Sequence, residues 1–384
     1  MRGTRGPSLA LSFGRGTNPK PRNAYFPVNF PRSSVLLFGM SQIIQIDGSL
    51  GEGGGQVLRT SLALALLLGK PFHLRHIRAG RAKPGLQAQH LMSVQAAGRI
   101  GKANLRGASL RSTDLTFEPD DIQPGEYCFT IGTAGATALV LHTIYLPLAL
   151  AKSASHVVIE GGTHVMAAPC FDFLRQTWGP YLRALGIVID LRLDRVGFYP
   201  RGGGRLEAHI KPASEILGFN GLTTPTITDA VVHVGIAGLP DHVGDRLAER
   251  AGAGLVELGL NVTTQRERWT GGPGCMVGAT LPTQPAATFL FALGEKGKSA
   301  ERVADELVTQ VRAYLQVQPI GVGVDEHSAD QLLLPLVFAK GPSRFRVARV
   351  SSHLLTNIAV IGYFCERQIT CDAPEGEPGV VTVE

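Results

Sequence analysis

The sequence predicts an α/β protein in which a large domain of three repeated α/β units is interrupted by an inserted small α/β domain. A strand, a Gly-rich or acidic turn, an apolar helix and a second strand recur three times, each followed by a second helix. The hexapeptides Leu146–Ala151 and Leu334–Ala339 match closely, LPLALA against LPLVFA, and fall at the same place in two of the units. Spacing supplies the insertion. Ile46 and Ile131 lie 85 residues apart, but Ile131 and Val324 lie 193 apart, an excess of 108 residues or about one small domain.

The first unit runs from a strand at Ile43–Ile46 through a turn ending near Gly55, a helix near Val57–Leu68 and a strand at Phe72–Ile77. The second has Phe129–Ile131, a glycine turn at Gly132–Gly135, a helix near Ala138–Ala151 and a strand at His156–Ile159. The third has Gly321–Val324, a helix near Ser328–Ala339 and a strand at Phe345–Ala348. The second helices fall near Gln87–Ile100, Phe171–Leu185 and Ser352–Phe364. The large domain therefore takes residues 40–213 and 319–384, and the insertion takes 214–318 after the turn Gly202-Gly203-Gly204. Inside it, Ala230–Ile236 reads as a strand, and Asp245–Leu258 and Ala300–Leu315 read as helices. Residues 1–39 lack periodicity and are read as a disordered or non-native extension; their Arg content and lack of acids also suit an organelle transit peptide.

The formal charge of +6 misleads as a nucleic-acid signal. Six basic residues lie in the acid-free first 40 positions, and the rest of the chain is balanced. The local distribution is more informative: no acid occurs between Glu52 and Asp114, a stretch holding Arg59, Lys70, Arg75, Arg78, Arg81, Lys83, Arg99, Lys102, Arg106 and Arg111. Such a block makes a positive surface for phosphates unless acids from elsewhere cover it. The five scattered cysteines form no CxxC pair, which disfavours a disulfide framework or zinc knuckle and points to a reducing, cytoplasmic setting. No apolar run reaches the roughly 20 residues a membrane span needs.

Four segments could carry chemistry. The glycine-rich turn Asp47–Gln56 lies between a strand and a helix, where backbone N–H groups can approach an anion; it is neither a Walker A loop nor GxGxxG. Its Glu52 suits a hard cation bridging phosphates, or is a solvated carboxylate. The loop Arg78–Gly85, leading to Gln89 and His90, is a phosphate cradle or a solvated basic loop. Asp325–Gln331 reads as N-capping or as a nucleotide contact. Ser351–Asn357 opens the last helix, and the helix terminus would keep His353 in its first turn neutral and nucleophilic. A histidine at such a place is more often structural.

Together these segments resemble the RNA 3'-terminal phosphate cyclases, from about Gln45 to the C-terminus. The specific blocks are Glu52–Gln56 with Ile77–Gly85 and Gln89-His90, and Ser352–Val360. The resemblance implies a ligase-type reaction. ATP adenylates His353, AMP passes to an RNA 3'-phosphate, and the neighbouring 2'-hydroxyl closes a 2',3'-cyclic phosphate as AMP leaves. It implies that Glu52 binds Mg²⁺ or Mn²⁺, and that Arg59, Arg78, Arg81, Gln89 and His90 contact the RNA end. It further implies that His142, His327, Ser328, Ala329, Asp330 and Gln331 line the nucleotide. His327 stands where a tyrosine is usual and His142 where a glutamine is usual, and both departures bear on ATP preference and pH dependence. Two rivals are a cyclase-like binding protein of ribosome assembly, which would lack the histidine, and an enolpyruvyl-transferase-like enzyme, which would need no ATP.

Overall fold

The protein is seen in a computed structural model that describes residues 43–222, 226–317 and 323–384. The extension read at 1–39 and the first half of the strand read at Gly321–Val324 lie outside the described residues. The first unit comprises β1 (Ile44–Asp47), α1 (Gln56–Leu68), β2 (Phe72–Arg75), α2 (Ala88–Ile100), β3 (Asn104–Arg106) and β4 (Leu115–Glu118), with sheet order β1-β2-β4-β3. The second comprises β5 (Glu126–Thr130), α3 (Thr137–Ala149) and β6 (Ser155–Gly161). It continues with α4 (Phe171–Phe173), a π-turn (Leu174–Trp178), α5 (Gly179–Ala184), β7 (Ile189–Arg195) and β8 (Gly204–Ile210), in the order β5-β6-β8-β7. In both sheets the helix-connected first pair is parallel and the other pairs are antiparallel.

The chain then passes β9 (Asn220–Gly221) before the segment β10 (Asp229–Ala237), α6 (Asp241–Glu257), β11 (Asn261–Arg268), β12 (Gly274–Leu281), β13 (Thr288–Leu293) and α7 (Ala300–Val317). The third unit follows as α8 (Glu326–Val337), β14 (Ser343–Val347), α9 (Ser352–Phe364), β15 (Ile369–Cys371) and β16 (Gly379–Val383). Its sheet runs β15-β16-β14-β9. Two pieces share the free edge of β14: β9 pairs with Arg344 and Phe345, and Val324 bridges to Val347, both parallel. The sequence reading opens the insertion at residue 214. The structure instead keeps the chain with the larger body through Gly221, because Ile216 and Phe219 are buried in its core and β9 covers an edge that would otherwise be unpaired.

The helices meet at the centre. α1 packs against α9, α3 and α2, and α8 packs against α9. That position explains why α1 and α3 are apolar on nearly all sides; every residue of α3 except His142 is buried. Pro147 in α3 and Pro335 in α8 each sit two residues before their helix ends, where the repeated hexapeptide places them. The segment from β10 to α7 has its own sheet, β11-β10-β12-β13, and a core in which Leu247, Ala251 and Leu255 of α6 meet Val303, Leu307 and Val311 of α7. It joins the second unit through the Thr177 hydroxyl, which donates to the Ala287 carbonyl at 2.7 Å. Among the described residues no helix is long and apolar enough to cross a membrane.

Candidate functional site at converging helix N-termini

Five helices from all three units begin around one place. Gln89, in the first turn of α2, accepts from the Ala136 backbone N–H that opens α3, at 3.0 Å. A Cβ added to Gly55, at the start of α1, would lie 2.5 Å from His90 Nε2 and 2.8 Å from an Arg59 nitrogen. In the turn before α1, Glu52 Oε1 faces His353 Nδ1, in the first turn of α9, at 3.2 Å. The α1 side chains Thr60 and Gln56 donate to Asn357 Oδ1 on α9 at 2.6 and 2.9 Å, and Asn357 Nδ2 donates to the Asp330 carbonyl on α8 at 2.9 Å. Each helix start carries partial positive charge and unpaired N–H groups, so their convergence favours a polyanion. At α1 the cap is Gly55 with no side-chain cap hydrogen bond, which leaves those N–H groups available.

Basic side chains add to this field. Arg81 donates to Glu52 Oε2 at 2.6 Å. Arg59 donates to Gln56 Oε1 at 2.7 Å, and burial lowers its pKa to about 10 against the pull of Asp330 and Glu52. Burial likewise raises buried Asp330 to about 7, despite nearby Arg59. His90 is almost fully buried, and burial, then the charges of Arg59 and Arg78, depress its pKa to about 3. Its Nδ1 accepts from the Gln87 backbone N–H at 3.3 Å, so the neutral ring carries its proton on Nε2, the nitrogen beside Gly55. His90 is thus a fixed donor toward the α1 N-terminus.

His353 differs. It is half-buried, Ser351 caps its helix by accepting from Leu354 N–H at 3.2 Å, and among the described residues Nδ1 has no aligned hydrogen-bond partner despite its nearness to Glu52. Burial lowers its pKa from 6.5; Glu52 opposes this, and the charges of Arg59, His327 and Arg81 reinforce it. The carboxylate favours the tautomer with the proton on Nδ1, and that leaves the Nε2 lone pair to attack an electrophile.

The structure thus brings Glu52, Arg59, Arg81, Gln89, His90, Asp330 and His353 together. Arg78 lies in the same cluster, but one of its guanidinium nitrogens donates to the carbonyls of Lys83 and Gly85, so it also braces its own loop. His142 lies within reach of the Arg59 charge, half-buried against Trp178 with ring centroids 4.9 Å apart, and burial drops its pKa to about 3. His327 is exposed at the α8 start, 3.7 Å from Glu326. Gln331 donates to the His327 carbonyl at 2.8 Å. Two expected nucleotide contacts are differently employed. The Ser328 hydroxyl donates to Asp325 at 2.6 Å within the α8 cap, and Ala329 is wholly buried in the main core. Sequence reasoning missed the Gln56–Thr60–Asn357 network; the available signal was Asn357 itself, a polar residue one helical turn beyond His353 on an apolar helix.

Comparison with known proteins supplies independent context. The family described as RNA 3'-terminal phosphate cyclase matches residues 50–371. A protein of Salmonella typhimurium named RNA 3'-terminal phosphate cyclase is 42% identical over 340 residues, covering 88% of this chain and 97% of that protein. Proteins of the same name from Nostoc punctiforme and Koribacter versatilis are 44% and 42% identical, each over 85% of this chain and over 95% and 90% of their own lengths.

Proposed function

Because the chain belongs to the RNA 3'-terminal phosphate cyclase family, we propose that it uses ATP to convert an RNA 3'-phosphate into a 2',3'-cyclic phosphate through an adenylate on His353. The observation that carries this reading is His353 at a helix N-terminus, its Nδ1 3.2 Å from Glu52 and the charges of Arg59 and Arg81 close by. The Nε2 lone pair attacks the α-phosphorus of ATP; an N–P bond forms and the bond to pyrophosphate breaks. An oxygen of the RNA 3'-phosphate then attacks that phosphorus, and the imidazole leaves. The 2'-hydroxyl attacks the 3'-phosphorus, its proton passes to solvent, and AMP departs. Imidazole suits both roles because it is a good nucleophile when neutral and a good leaving group.

Arg59, Arg78, Arg81, the His90 Nε2–H and the helix N-termini would hold phosphate oxygens as charge shifts between them. His327 and Gln331 stand at the α8 start beside His353 and are assigned to the nucleotide, with His142 behind Arg59. Glu52 fits a divalent ion: a half-buried carboxylate beside a phosphate site is the sparse protein donor set that Mg²⁺ takes. Mg²⁺ or Mn²⁺ held there would offset phosphate charge. The five unpaired thiols suit a cytoplasmic setting. The test is incubation of a 3'-phosphorylated RNA with the protein, ATP and Mg²⁺. The end should become resistant to phosphatase and should migrate as a cyclic phosphate. An end that stays phosphatase-sensitive with active, folded protein would contradict the reading.

A further inference from the structure

We propose that the turn Phe198–Gly202, with Tyr199 and Arg201 at its tip, is a platform for the single-stranded RNA just upstream of the reacting 3' end. This inference rests on the cyclase reading and adds to it a substrate-binding surface outside the helix N-termini. The base of the turn is rigid. Phe198 is buried, with its ring 5.4 Å from His164 and 6.4 Å from Trp269 between centroids. The Gly202 N–H donates to the Phe198 carbonyl at 2.7 Å and closes the turn. Arg195 fastens the far side by donating to the Gly203 carbonyl at 2.6 Å.

The tip is bare. Tyr199 is 77% exposed, the most exposed large apolar side chain among the described residues. Arg201 is also exposed and forms no ion pair among the described residues, unlike nearby Arg195, which pairs with Glu160. An aromatic ring beside an unpaired guanidinium is the combination that binds single-stranded RNA, the ring stacking a base and the cation meeting phosphate.

Position selects RNA over other partners. Gly202 packs directly on the segment before α3: a Cβ there would come within 2.6 Å of the Thr133 carbonyl and 2.8 Å of Ala134 Cα. Two residues farther on, the Ala136 N–H is held by Gln89, next to His90. The turn therefore adjoins the residues assigned to the RNA end. A strand whose 3'-phosphate lies at His353 must leave the site past some neighbouring surface, and this one carries the matching chemistry.

The test is binding of a 3'-phosphorylated RNA pentanucleotide to the full chain at fixed low salt, read by fluorescence anisotropy. Tyr199→Ala should weaken binding about ten-fold, in line with the loss of one stacked base, and Tyr199→Trp should restore it. Arg201→Ala should weaken binding and flatten its salt dependence. Transfer of label from ATP to the protein should be unchanged in all three. A pentanucleotide with abasic sites near its end should bind wild type and Tyr199→Ala equally. Wild-type affinity in Tyr199→Ala, or an equal loss on the abasic RNA, would overturn the proposal. A defect in labelling would assign Tyr199 to the nucleotide, and dissociation of a dimer on substitution would assign it to a second copy; either would overturn it as well. If wild type takes no label, the cyclase reading fails, while the binding ratios still judge the platform.

Discussion

Among the histidine–carboxylate pairs of the described residues, two lie near the corresponding helix in two of the repeated units, His164–Asp172 and His353–Glu52. In the second unit His164 Nε2 lies 3.0 Å from Asp172, on α4, and Nδ1 lies 3.0 Å from the Thr163 hydroxyl. That hydroxyl accepts from Gly197 N–H, and Asp172 also takes Arg175 at 2.8 Å. Every polar atom is satisfied, and the ring is fully buried against Phe198 and Trp269. In the third unit His353 points Nδ1 toward Glu52, makes no hydrogen bond through Nε2 among the described residues and stays partly open to solvent. A carboxylate partner alone therefore does not make a histidine catalytic. An uncommitted nitrogen, access and a surrounding positive field do.

The largest expected effect separates the two pairs. His353→Ala should lower the cyclisation rate by at least about 10³-fold, the loss typical of a covalent nucleophile. His164→Ala should leave the chemistry near wild type at permissive temperature. It should destabilise the fold by about 1–3 kcal/mol, because buried partners lose their hydrogen bonds. Urea denaturation and single-turnover cyclisation, measured side by side, check both. A similar kinetic loss in both variants would break the comparison.

The next effect tests what holds His353 in place. Asn357 ties α9 to α1 and α8 through three hydrogen bonds. Asn357→Ala should let the nucleophile drift and slow adenylation by about 10–100-fold, with a smaller change in KM for ATP. Unchanged single-turnover rates would remove Asn357 from a positioning role.

Much of this arrangement was legible in the sequence. The three-unit repeat rests on apolar periodicity, and the glycine turn, basic loop and Ser351 cap are local patterns that survive folding. The Asn357 network was not legible, because its partners lie about 300 positions away and only the packing of α1 on α9 brings them together. Nor was the double role of Arg78, whose contacts depend on the loop carbonyls turning inward. Short edge strands such as β9 were lost for the same reason: two residues have no period, and their pairing is decided by the edge of β14.

Smaller effects follow pH. The pKa of His353 is lowered, so the ring stays neutral below its usual range, and adenylation should hold to more acid pH than an ordinary imidazole allows. Arg81 contributes to that depression, so Arg81→Gln should move the acid limb of the profile upward, with no shift counting against the assigned field. Stability should respond through the buried rings. His90 and His142 titrate near 3 when folded but near 6.5 when unfolded, so the unfolded chain binds more protons in that window and stability falls as pH falls through it. His142→Gln should make this acid loss shallower, seen as a smaller shift of the urea midpoint between pH 7 and pH 4. An unchanged shift would show that His142 is not a source of the acid sensitivity.

The central claim is that His353 carries the nucleotide, and its most direct measurement is covalent labelling. The protein is incubated with α-labelled ATP and Mg²⁺, denatured, and the label mapped by peptide. Acid-labile, base-stable AMP is expected on the peptide containing His353, absent from His353→Ala and retained in folded His164→Ala. Full labelling of His353→Ala, or none of the wild type, would contradict it.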